Sequence, residues 1–143
     1  MIESAEEFIS LRSSEIKSEY DRSALEEAPI SVWLDIIDKY PDYRGWVAHN
    51  KTIPIEILDK LSNYDEDTRV IVASKRKLTL EMFEKLACDS SSSVRISIIV
   101  NKKTPLEIIK SLTLDKDKQV ADIATRHYMR RQEEINSKRE YNK

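Results

Sequence analysis

Apolar positions in this chain follow two periods at once, a short helical one inside a longer one of 25 or 26 residues. Take Pro29, Pro54, Thr79 and Pro105 as a reference slot, with spacings of 25, 25 and 26 residues. One residue past it stand Ile30, Ile55, Leu80 and Leu106, and three past it Val32, Ile57, Met82 and Ile108. Four past it stand Trp33, Leu58, Phe83 and Ile109, and seven past it Ile36, Leu61, Leu86 and Leu112. Steps of three and four line up on one face of a helix. The pattern therefore predicts four amphipathic helices, each starting at the reference slot.

Local chemistry sets their ends. Thr104-Pro105-Leu106-Glu107 offers an N-cap, a proline at the first helical position and a capping-box glutamate. Glu56 and Glu81 fill the same slot as Glu107, where negative charge suits a helix N-terminus. An acidic turn follows each helix: Pro41-Asp42, Asp65-Glu66-Asp67, Asp89, and Asp115 to Asp117. Next comes an arginine slot, Arg44, Arg69 and Arg95 with Ala121 in the fourth repeat, and a shorter element through Val47-Ala48, Val72-Ala73, Ile98-Ile99 and Ala124-Thr125. About two turns are left for that element, as α- or 3₁₀-helix.

A helix with one apolar stripe cannot fold alone, so neighbouring repeats must stack. The expected fold is all-α: a short right-handed α-solenoid of about four ~25-residue helical repeats over residues 29–128, with an N-terminal helical cap over 1–28. In the cap, Ser4 and Glu7 form a capping box, Phe8 and Leu11 cover the end of the stack, and Ser23 to Glu27 reads as a degenerate repeat. Residues 129–143 are almost wholly polar and read as a solvated C-terminal helix or tail.

The motif Arg-x-x-Val-Ala-x-Asn, then Thr-Pro, then Leu-x-x-Leu and an acidic turn resembles the variant leucine-rich repeat and the wider HEAT-like α-solenoid families. Arg44, Val47, Ala48, Asn50 and Pro54 carry it, as do Arg95, Asn101, Thr104 and Pro105. Lys75 stands where the motif has asparagine, Thr79 where it has proline, and Ala121 where it has arginine. Some relatives hold an iron–sulfur centre on a cysteine cluster, and nothing here matches that. The resemblance implies an architecture and a binding role, without implying a reaction.

Composition narrows the class. One glycine and four prolines in 143 residues suit helices and not a β-rich fold. A formal charge of −2 gives no overall pull toward nucleic acid or anionic membrane. Cys88 alone cannot form an internal disulfide, and the acidic start MIESAEEFIS is unlike a secretory signal, so the expected location is cytoplasmic.

The search for chemistry yields no catalytic set. His49 and His127 lie three repeats apart, roughly 25–30 Å by helix spacing, too far to share a proton or a metal. Cys88 ends a helix as a partly buried inert thiol, and a lone Gly45 cannot build a phosphate-cradling loop. Trp33 shares its slot with Leu58 and Phe83, and Trp46 shares one with Ile71, Ser97 and Ile123, so both read as packing. The three arginines read as ties within the stack, each bonding Asp42, Asp65 or Asp89 of its own or the adjacent repeat. No metal, cofactor or small-molecule substrate is expected.

Charge is more informative. The turn after the short element is basic in every repeat: Lys51, then Lys75-Arg76-Lys77, then Lys102-Lys103, then Arg126 with Arg130 and Arg131. Stacking would align these into one basic ridge and the other turns into an acidic one. Lys51, Lys75, Arg76, Lys77, Lys102 and Lys103 are the candidate partner-binding residues. The expected function is a non-enzymatic protein-interaction module that holds another protein through its groove or charged edge. One version is an immunity- or antitoxin-like inhibitor covering a toxin's active site, its acidic ridge against a basic nuclease. The alternative is a nucleic-acid-binding HEAT-like protein related to alkylpurine DNA glycosylases, which the acidic overall charge and short chain oppose.

Overall fold

Every regular element of the computed structural model, which describes residues 1–143, is helical. In chain order these are α1 (Ala5–Arg12), α2 (Lys17–Leu25), α3 (Ile30–Lys39), a 3₁₀ turn (Pro41–Tyr43), α4 (Arg44–His49), α5 (Ile55–Leu61), α6 (Glu66–Ala73), α7 (Leu80–Ala87), α8 (Ser92–Val100), α9 (Leu106–Leu112) and α10 (Lys118–Tyr141). They form two compact units, Met1–Val72 and Ala73–Lys143.

Helices α3, α5, α7 and α9 each start one residue after the reference slot. The slot residue is therefore the N-cap, not the first helical residue as expected. Proline tolerates this place because its missing N–H is one the helix could not have used. Thr79 compensates for the lost proline: its hydroxyl accepts the Met82 N–H at 3.2 Å. Thr104, expected as a cap, is buried and donates its hydroxyl to the Ile98 carbonyl at 2.6 Å.

Three of the four stripe positions are core. Val32, Trp33 and Ile36 are buried, as are Ile57, Leu58 and Leu61, Met82, Phe83 and Leu86, and Ile108, Ile109 and Leu112. The fourth, one past the slot, is not: Ile30 and Leu80 are exposed, Ile55 and Leu106 half-buried. That residue opens the helix and lies roughly a quarter-turn from the stripe's centre.

In the N-terminal unit the Ser4 hydroxyl accepts the Glu7 N–H at 3.0 Å, and the Glu7 carboxylate accepts the Glu3 N–H at 3.3 Å. The Ser4 cap starts α1, with Glu7 reaching the N–H one residue before the cap and not that of Ser4 itself, and Phe8 then packs edge-on against Trp33 with ring centroids 5.5 Å apart. The Arg22 guanidinium reaches Glu26 and Glu7, joining α2 to α1. Asn50, fully buried at the end of α4, donates to the carbonyls of Ser23 and Glu26 at 2.8 and 3.0 Å. It thereby satisfies the open end of α2.

The C-terminal unit repeats the device. Asn101 is buried at the end of α8 and donates to the Ala73 and Lys75 carbonyls at 2.8 and 2.7 Å. The fourth short element does not stop after two turns. It continues as α10 to Tyr141, packs against α8 and α9, and its Arg131 donates to the Thr104 carbonyl.

Candidate basic cleft of the C-terminal unit

The arginine slot is used by the scaffold. Arg44 Nε donates to the Ile37 carbonyl at 2.8 Å, and its guanidinium sits 4.0 Å from the centre of the Tyr64 ring. Arg69 Nη1 donates to the Tyr64 carbonyl at 2.6 Å. Arg95 is buried and grips Asp115 with two bonds, while its Nη1 donates to the Asp89 carbonyl at 2.7 Å. At Arg95 the carboxylate held is Asp115 in the turn after α9, not one of the expected Asp42, Asp65 and Asp89, and Asp89 serves through its backbone carbonyl. Asp65 has a local task as well: its carboxylate accepts the Thr68 N–H at 3.1 Å and hydroxyl at 2.8 Å at the start of α6. Burial pushes the Asp65 carboxyl up, but these bonds and the nearby Arg44 charge hold it below the ordinary range.

The basic turns separate into two kinds. Arg76, Lys77, Lys102 and Lys103 are exposed, and their side chains form no ion pair. Lys75 is half-buried and serves through its backbone as an acceptor for Asn101. Lys51 is exposed in the N-terminal unit, where its N–H donates to the Ala24 carbonyl at 2.8 Å.

Two concavities meet in the C-terminal unit. The larger, about 370 Å³, lies between the end of α8 and α10 and is lined by Ile99, Val100, Asn101, Lys102, His127, Arg130, Arg131 and Glu134. The smaller, about 180 Å³, is lined by Ser74, Arg76, Ser97, Val100, Asn101 and Lys102. They share Val100, Asn101 and Lys102, so one track runs from Arg76 past Lys102 to Arg130. Burial, and then the charges of Arg130, Arg126 and Arg131, hold the His127 imidazole below its ordinary value of 6.5. At neutral pH it is an uncharged donor and acceptor beside four cations.

The sequence reading counts Arg126, Arg130 and Arg131 as a fourth basic turn, but they belong to a continuous helix. Spacings of three and four bring His127, Arg130 and Arg131 to one face, a signal the pattern contained. Their meeting with Lys102 and Arg76 required the packed structure.

Charge divides sharply between the units. Residues 1–72 hold 8 Lys and Arg against 16 Asp and Glu, a formal −8; residues 73–143 hold 16 against 10, a formal +6. The near-neutral total conceals this.

Two other expectations change. Trp46 is not packed away: it is 40% exposed, with the Arg12 guanidinium 3.4 Å from its ring centre. It borders a second cavity of about 590 Å³ in the N-terminal unit, beside Asp42, Asp67 and the sole glycine, Gly45. Cys88 is exposed, not partly buried, because it follows the last turn of α7. No group of three His, Cys, Asp or Glu side chains converges on a metal-sized site, and no helix is long and apolar enough to cross a membrane. No family model, characterised protein or solved structure shows a significant match to this chain.

Proposed function

We propose that the chain is a non-enzymatic protein-interaction module, built as a short right-handed α-solenoid of four ~25-residue repeats with a helical cap. In this reading the basic turns of the C-terminal unit receive an acidic surface of another protein. One observation carries it: Arg76, Lys77, Lys102 and Lys103 project from the unit with formal charge +6 and form no ion pair there. The arginines of the repeated slot, by contrast, are spent on carbonyls and on Asp115. Charges unused by the fold raise association rates with an oppositely charged partner.

The test is affinity capture from native extract at physiological salt. It compares the parent chain with a variant carrying Arg76→Gln, Lys77→Gln, Lys102→Gln and Lys103→Gln. A recurrent acidic protein recovered by the parent and lost from a variant that melts within a few degrees of it supports the proposal. Recovery of nucleic acid, with the steep salt dependence of counterion release, favours the DNA-binding alternative.

The immunity-like version draws on the other unit. Its formal −8 and the cavity beside Trp46, Asp42 and Asp67 suit a cationic partner such as a basic nuclease toxin. Asp42→Asn with Asp67→Asn would then abolish toxin protection while the quadruple glutamine variant retained it.

A further inference from the structure

Resting on the interaction reading above, we propose that the track between α8 and α10 binds an acidic amphipathic segment of the partner. Carboxylates would sit on Arg76, Lys102 and Arg130, and one aliphatic side chain on Val100.

The composition of the track points to this occupant. Val100 is 51% exposed at the place where the two concavities join, an apolar side chain with cations on both sides. Ile99 lies behind it in the larger cleft. An anion alone does not use an aliphatic floor, whereas a peptide that alternates carboxylates with a Leu or Ile does. The cleft of about 370 Å³ accommodates one or two side chains, not a folded surface.

Nucleic acid fits less well. Single strands are held by stacking on successive aromatic rings, and the two linings contain no Phe, Tyr or Trp, only the one imidazole of His127. Glu134 at the α10 side of the cleft repels a continuous phosphate backbone, while separate carboxylates can be placed to avoid it. His127, uncharged near neutral pH, can donate to a carboxylate without adding charge that selects for phosphate.

The experiment measures fluorescence anisotropy of short labelled probes with the full chain at low and physiological salt. The probes are a peptide of glutamates interrupted by leucines, the same peptide with serine for each leucine, and a single-stranded oligonucleotide of matching length. The expected result is that the leucine peptide binds tightest. Arg130→Gln and Val100→Ser should each weaken it about tenfold, the loss of one charge-assisted or apolar contact. Lys17→Gln, at an exposed position of the other unit, should leave it unchanged. All three substituted side chains are exposed, and thermal melting verifies that the variants fold.

Equal binding of the leucine and serine peptides, weakened by Lys77→Gln and Lys103→Gln but not by Val100→Ser, overturns the track and leaves the interaction module standing. Tighter binding of the oligonucleotide overturns both. Self-association in sedimentation velocity that Arg130→Gln abolishes makes a second copy, through its acidic unit, the occupant instead. Failure of every probe to bind overturns the track alone, because capture from extract decides the module independently.

Discussion

Arg95 holds Asp115 in a two-bonded pair, Nε to Oδ2 at 2.9 Å and Nη2 to Oδ1 at 3.1 Å, with 6% and 7% of the two side chains exposed. The pair connects the start of α8 to the turn before α10, and the Asp115 carboxylate also accepts the Asp117 N–H at 2.9 Å. Arg95→Met should therefore destabilise the protein by about 3–5 kcal/mol, because it strands a buried carboxylate. Arg95→Lys should restore only part of that, since an ammonium cannot supply both parallel bonds. Urea denaturation of the three proteins measures the order.

The same pair makes stability acid-sensitive. Burial raises the Asp115 carboxyl, but the Arg95 bonds and the Asp117 N–H outweigh it, so the folded carboxyl lies below its ordinary 3.8. A depressed folded value adds stability that is fully present above about pH 5 and is lost as pH falls through the folded value. Asp115→Asn should flatten the stability profile below pH 4 relative to the parent. Parallel profiles would remove Asp115 as the cause.

His127 should act in the same direction at higher pH. Its neighbours are the α10 cations Arg126, Arg130 and Arg131, with Lys102 from the α8–α9 turn and Glu134 also lining the cleft. Burial and these cations depress its folded value, so the unfolded chain takes up the proton first as pH drops. Stability contributed by the neutral imidazole is complete well above 6.5 and declines as pH falls through that value. His127→Gln should remove this step, read as melting temperature between pH 7.5 and 5.5.

Asn101→Ala should cost about 1–3 kcal/mol, and Asn50→Ala a similar amount in the other unit. Each deletion leaves two helix-end carbonyls without their amide donor and removes the acceptor for a backbone N–H, that of Lys103 or Thr52. Chemical denaturation monitored by circular dichroism tests both, and a loss below 0.5 kcal/mol in both would demote the slot to a surface turn.

Gly45→Ala should instead stabilise, by about 0.4–1 kcal/mol. No glycine here has positive φ, and a Cβ at this helical position would meet Ile71 Cδ1 at 3.4 Å and Thr68 Oγ1 at 3.9 Å, ordinary contacts. Alanine also lowers the disorder of the unfolded chain. A fall in melting temperature would show that α4 and α6 cannot accept the methyl group.

Most of the helix positions were legible from residue order alone, because helix formation depends on neighbours three and four residues away. The twelve buried stripe residues, the Ser4–Glu7 cap and, to within one residue, the starts of α3, α5, α7 and α9 follow from such spacings. So did the exposed basic residues Arg76, Lys77, Lys102 and Lys103, since nothing nearby in sequence offers them a partner. Tertiary packing decided the rest. Asn50 finds Ser23, Asn101 finds Ala73, Arg95 finds Asp115 and Arg131 finds Thr104 across separations of 20 to 28 residues. Those bonds depend on which helix ends are brought within about 3 Å, and periodicity carries no such distance. Packing likewise joined Arg76, Val100 and Arg130 along one track and left Trp46 at the surface. A local pattern states which face of a helix is apolar; only the neighbouring helices determine how much of that face, and which charges beside it, remain open to a partner.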